Sequence, residues 1–182
     1  MTNPLESVIA IIKNFIDEEP KPPLHVGEVM DLWTAYTAFN EAHVLYQVGL
    51  NTTTDTDLKH ALQSAYNSSN ADSKKIEHFL MKEGVPLPSL SSPKPVSKAD
   101  SVPEGVKLTD SEIANLIAVK IGASITFCAQ AMSKTVRTDV GLLFFEMQVN
   151  LMRYAAPFKN LMKQRGWLKV PPKYTPPGAP ER

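Results

Sequence analysis

Residues 85–107 read VPLPSLSSPKPVSKADSVPEGVK. Pro86, Pro88, Pro93, Pro95 and Pro103 fall within these 23 residues. Each proline lacks an amide donor and restrains the residue before it, so neither a helix nor an inner strand can run through the stretch. Serines interleave with the prolines, and no apolar period survives. Long connections without structure are unusual inside a compact domain, so this length needs a use. An extended chain of this size can span a helical bundle from one end to the other.

The flanking sequence supplies the helices. Upstream, Leu58, Leu62, Ala65, Ile76, Phe79 and Leu80 predict a helix over 56–82, stopped by Gly84. Downstream, Thr109-Asp110-Ser111-Glu112 has the spacing of a capping box. The helix it opens is predicted to reach about Lys134 through Ile113, Leu116, Ile117, Ile121, Ile125, Phe127 and Cys128. Its small residues Gly122, Ala123, Ser124 and Ala129 predict close approach of a neighbouring helix. Further out, Val29, Leu32, Trp33, Tyr36, Phe39, His43 and Tyr46 recur every three or four residues and predict a helix over 27–50. Residues 51–55 (NTTTD) supply its turn and the next N-cap. Val140, Phe144, Met147, Leu151, Tyr154, Phe158 and Leu161 predict a last helix over 138–165, kinked by Pro157 and ended by Gly166.

No stretch alternates as a strand does. The expected fold is all-α, with four helices of about 37 Å each. A long crossover between the second and third helices is the ferritin-like arrangement of a four-helix bundle. Three regions follow: residues 1–23, a short amphipathic helix (Leu5, Val8, Ile9, Ile12, Ile16) and the proline-rich hinge EEPKPP; residues 24–169, the bundle; and residues 170–182, a proline-rich tail.

Composition narrows the function. Lys plus Arg and Asp plus Glu number 19 each in 182 residues. There is no positive excess to bind phosphates, so nucleic acid is not an expected partner. A neutral molecule also meets little electrostatic resistance to association with itself or other proteins. Cys128 is the single cysteine. It precludes an intramolecular disulfide, fits synthesis in a reducing cytoplasm, and reads as a buried, inert thiol. The start Met1-Thr2-Asn3-Pro4 lacks a positive n-region, and the apolar run 8–12 is too short for a signal peptide core, so export by a signal peptide is not expected. By this reading no segment reaches membrane length, so no membrane span is expected.

The sequence resembles the DUF3231 group of bacillus-type proteins, related to the spore coat protein F family within the ferritin-like fold. The matching motifs are Gly27-Glu28-Val29-Met30-Asp31-Leu32-Trp33, Lys75-Ile76-Glu77-His78-Phe79-Leu80 with Gly84-Val85-Pro86-Leu87-Pro88, Leu108-Thr109-Asp110-Ser111-Glu112, and residues 161–167 (LMKQRGW) followed by Pro171-Pro172. The likeness covers about residues 25–174. It implies a link to sporulation or the spore surface, without an assigned activity. Many members of that group carry two such bundles in tandem, and this chain has room for one.

A ferritin-like bundle raises the question of a di-iron site. That chemistry needs an inward glutamate on two helices and a Glu-x-x-His pair on each of the others. No Glu-x-x-His occurs in the chain. Glu41 and His43 are two apart, Glu77 and His78 adjacent, and Glu112 belongs to a cap. Glu41, His43 and Glu146 form a weaker zinc set. No cofactor, metal or catalytic residue is expected, and no serine or cysteine sits beside a recognisable base. A polar layer remains at mid-bundle: Asn40, His43, Asp72 and Glu146, with Ser69. It reads as a register-fixing hydrogen-bond network, such as Asp72 with His43, or else as a ligand pocket. The leading expectation is a non-enzymatic structural or interaction protein of the spore coat. The alternative is a degenerate ferritin-like metal-binding protein or oxidoreductase.

Overall fold

The computed structural model describes residues 21–174 and 176–177. Four long helices carry the chain: α1 (Val26–Thr52), α2 (Thr56–Lys82), α3 (Asp110–Lys134) and α4 (Thr138–Gln164). Among the described residues there is no strand. The expected N-terminal helix lies outside them, as does the end of the tail.

The helix ends follow local chemistry. Thr109 and Glu112 form the expected reciprocal capping box at α3. Asp55 caps α2 by accepting from the Leu58 N–H at 2.9 Å. His25 opens α1, its Nδ1 accepting from the amides of Gly27 and Glu28. The α2 and α4 ends are Schellman turns. Val85 N–H bonds the Leu80 carbonyl, Trp167 N–H bonds the Met162 carbonyl, and Gly84 and Gly166 take φ of 73° and 70°. α4 runs on past Pro157 to Gln164.

Pairing is strongest between α1 and α2 and between α3 and α4. The crossover does span the bundle. Val85 and Leu87 pack on the core at one end and Leu108 at the other. Between them it follows α1: Ser91 donates to Glu41, the Lys94 amide to Gln47, and Asn51 bonds both the Pro95 carbonyl and the Ser97 amide.

The apolar interior divides in two. One half holds Leu32, Tyr36, Phe39, Ile76, Leu80, Phe144 and Met147. The other holds Tyr46, Leu58, Leu62, Ile113, Ile117, Phe158 and Met162. At the second, α1 comes so close that a Cβ on Gly49 would lie 3.0 Å from Leu62 Cδ1 and 3.2 Å from Ile113 Cγ2.

The seams differ from the sequence expectation at two places. Trp33 is 36% and Leu116 47% exposed, so neither is a core residue. On α3, Gly122, Ala123 and Ala129 are exposed rather than packed against another of the described helices. By length and composition alone α3 would suffice to cross a membrane, where the sequence reading found no segment long enough. In the bundle it buries Ile113, Ala114, Ile117, Ile121, Cys128 and Ala131.

Candidate functional site

The two halves of the core meet at a polar belt. On α1 the belt falls between Phe39 and Ala42, on α2 between Ala65 and Ile76, and on α4 between Met147 and Phe158. Ser69, Asp72 and Ser73 are buried there on α2, at 6%, 3% and 3% exposure. The structure brings the expected polar residues to this depth but divides them.

The inner part is built on Asp72. Its Oδ1 accepts from Asn150 Nδ2 on α4 at 3.0 Å and lies 4.0 Å from Lys75 Nζ. This corrects the expected pairing of Asp72 with His43: α2 turns Asp72 toward α4, whereas His43 faces Tyr66 and the crossover. Burial pushes the Asp72 carboxyl above its ordinary range, the Asn150 hydrogen bond and Lys75 pull it down, and Glu146 pushes it up. Beside it is a cavity of about 20 Å³, lined by Phe39, Tyr46, Ser69, Asp72, Lys120 and Asn150 among others. That is room for one water.

The outer part joins α1 to α2. Asn40 Nδ2 donates to Ser73 Oγ and to the Tyr36 carbonyl, both at 2.7 Å. Ser69 Oγ donates to the Phe39 carbonyl at 3.2 Å. His43 lies 4.8 Å from Tyr66, ring centre to ring centre. Burial and the Lys120 charge lower its pKa, against a hydrogen bond with the Ser69 backbone, so the ring is neutral at pH 7. Its Nε2 is buried without a hydrogen-bond partner. A groove of about 270 Å³ under the crossover lies beside it, lined by Asn40, His43, Gln47, Tyr66, Leu90 and Ser91 among others.

Glu146 does not join the belt. It is exposed and paired with Lys75 Nζ at 2.5 Å. Glu41 is also exposed and bonded to Ser91, so the zinc set Glu41, His43 and Glu146 is not assembled. Among the described residues no three His, Cys, Asp or Glu side chains gather to hold a metal ion. At the depth where a ferritin-like centre would carry carboxylates, the belt has Ser69, Asp72, Ser73 and Asn150. One buried carboxylate held by an amide does not fit a di-iron centre. Cys128 is 1% exposed, and burial followed by the Asp72 charge pushes its thiol up to about 12. The burial agrees with its apolar setting in the sequence, and a raised thiol disfavours the reactive thiolate.

Asn150 escaped the sequence reading because it stands beside Leu151 and leaves the α4 stripe from Met147 to Tyr154 unbroken. A second cluster was missed entirely. Arg137, 4% exposed, holds both oxygens of Glu83 at 2.9 Å and both of Asp139 at 3.0 and 2.8 Å, over the Phe79 ring. Burial raises the Asp139 carboxyl, but Arg137 and Lys21 outweigh it and bring it to about 2. Beside this cluster Glu28, 1% exposed, accepts from the amides of Val136 and Arg137 at 2.8 and 2.7 Å. These are structural joints. Arg137, Glu83, Asp139 and Glu28 in them are all bonded from within the chain.

Residues 13–179 match the family described as protein of unknown function DUF3231. The chain is 30% identical over 150 residues to the uncharacterized protein YvdQ of Bacillus subtilis (strain 168), covering 82% of this chain and 88% of that one. A crystal structure of a protein provisionally described as a spore coat protein, from Bacillus halodurans C-125, superposes with a TM-score of 0.83 at 29% identity. It covers 85% of this chain and 97% of that one. A two-domain protein from Anabaena variabilis ATCC 29413, with DJ-1/ThiJ/PfpI-like and ferritin-like domains, shares the fold at TM-score 0.60 and 19% identity, over 84% of this chain and 41% of that one. This chain belongs to the DUF3231 family.

Proposed function

We propose that the chain is a non-enzymatic structural or interaction protein associated with sporulation, made in the cytoplasm and assembled into the spore coat. Its partners are proteins: other coat components or further copies of itself. The observation that carries the reading is the likeness, nearly end to end, to the Bacillus halodurans protein. The chemistry of the belt supports it. The buried carboxylate there is held by an amide, the thiol beside it is buried, and Lys75 is paired with Glu146.

The test is a fluorescent fusion in a sporulating bacillus together with fractionation of purified spores. The expected result is a ring around the developing spore and recovery in the coat extract. Diffuse cytoplasmic signal with none in the coat would overturn the reading. Stoichiometric iron, zinc or manganese in protein purified without chelators would favour the metal-binding alternative instead.

A further inference from the structure

The face of α3 left exposed among the described residues has an order of its own. Glu112, Leu116, Val119, Ala123, Thr126, Gln130 and Ser133 are all exposed. They are spaced four, three, four, three, four and three residues apart, the repeat of a coiled-coil seam. Leu116 is 47% and Val119 72% exposed. No charge lies on the seam after Glu112. Lys120, which sits beside it, turns away to bond the Ala38 carbonyl of α1 at 3.0 Å. Apolar grooves of about 220 and 190 Å³ flank the seam, one toward α1 and one toward α4.

The charge at the two ends of the seam decides the occupant. Asp110 and Glu112 stand at its N-terminal end and Lys134 at its C-terminal end. Glu112 uses one oxygen, Oε2, in its capping box, and Oε1 accepts nothing among the described residues. Lys134 pairs with Asp31 at 2.9 Å, yet its side chain is 58% exposed. An antiparallel copy of the same helix would bring each end against the opposite charge.

We infer that the α3 seam is a docking surface for a second copy of this chain, the two α3 helices packing antiparallel about a two-fold axis at Ala123. In that register Glu112 meets the partner's Lys134, Leu116 meets the partner's Gln130 and Val119 meets the partner's Phe127. Ala123 faces the partner's Ala123, where small side chains permit close approach of the axes. A two-fold contact is self-complementary in this way. The inference deepens the interaction reading above. Oligomeric state in solution is measured apart from coat deposition, so one can fail without the other.

Analytical ultracentrifugation of the full chain at micromolar concentrations tests it. The expected mass is twice the 20.1 kDa of the chain. Ala123→Glu sets two carboxylates face to face on the axis and should weaken the dimer about tenfold or more. Its circular dichroism should be unchanged, because the position is exposed. Orientation is read by cysteine crosslinking under mild oxidation, with Cys128 buried and silent. Ala123→Cys should crosslink. Leu116→Cys should not, because 14 residues separate it from its partner's equivalent position, about 21 Å along the helix. A monomer at all concentrations, a dimer indifferent to Ala123→Glu, or equal crosslinking of both cysteines would overturn the proposal. So would a dimer that appears only after removal of residues 1–20, which would assign the seam to that segment, or flotation of the monomer with phospholipid vesicles, which would assign it to a membrane.

Discussion

Asp72 is a carboxylate in the wrong solvent. It is 3% exposed, holds one amide from Asn150, and has Lys75 no closer than 4.0 Å. Burial raises its pKa in the folded protein, while the unfolded chain releases the proton at the ordinary value. Its stabilising contribution is therefore complete below the unfolded pKa and is lost as pH rises through the folded one. Asp72→Asn keeps an oxygen for Asn150 and removes the charge. The variant should be more stable than the parent at pH 7 by about 1 kcal/mol, since replacing a poorly compensated buried charge is commonly stabilising. The advantage should vanish near pH 3. Urea denaturation at the two pH values measures it, and a less stable variant at pH 7 would show that the Lys75 contact outweighs burial.

At the scale of an element, the start of α4 is instructive because its own sequence does not cap it. Arg137 occupies the N-cap position and makes no side-chain cap. The cap comes from α1 instead. Glu28 Oε1 takes the amides of Val136 and Arg137, and its Oε2 takes the His25 amide at 3.1 Å. One carboxylate thus closes the starts of two helices and fixes the α3–α4 turn against α1. Glu28→Gln replaces one accepting oxygen by an amide that can only donate, leaving buried N–H groups without a partner. The expected cost is about 2 kcal/mol, read as a lower urea midpoint with an unchanged slope. The loss should also appear as faster hydrogen exchange at Val136 and Arg137, a place that a general loss of stability would not single out.

For the whole molecule, the crossover sets a minimum length. The 27-residue α2 and the helices beside it are about 40 Å long. An extended chain covers at most about 3.5 Å per residue, so roughly 12 residues are needed to join the end of α2 to the start of α3. Deleting residues 91–96 should leave the bundle intact, at the loss of the Lys94 and Pro95 contacts with Gln47 and Asn51. Deleting 88–107 leaves seven residues between Lys82 and Asp110, too few to make the span. That variant should lose its helical circular dichroism or exchange helices between chains. Persistence of a normal bundle would mean that the helices had reordered.

What near neighbours in the chain fix can be read without a structure. The four helices came from apolar periodicity, the start of α3 from Thr109 and Glu112, the ends of α2 and α4 from Gly84 and Gly166, and the long connection from five prolines. These signals act within a turn or two of chain, so one sequence carries them. The depth of the polar belt was legible too, because Ser69 and Asp72 interrupt an apolar stripe. Which way each interruption points emerges once the helices are packed together. Asp72 turned to Asn150 instead of His43, Glu28 reached across the chain to α4, and Gly122 and Ala123 were left exposed. Such outcomes depend on the rotation of each helix about its axis. Contacts between residues far apart in the chain fix that rotation, and the local pattern of any one helix does not.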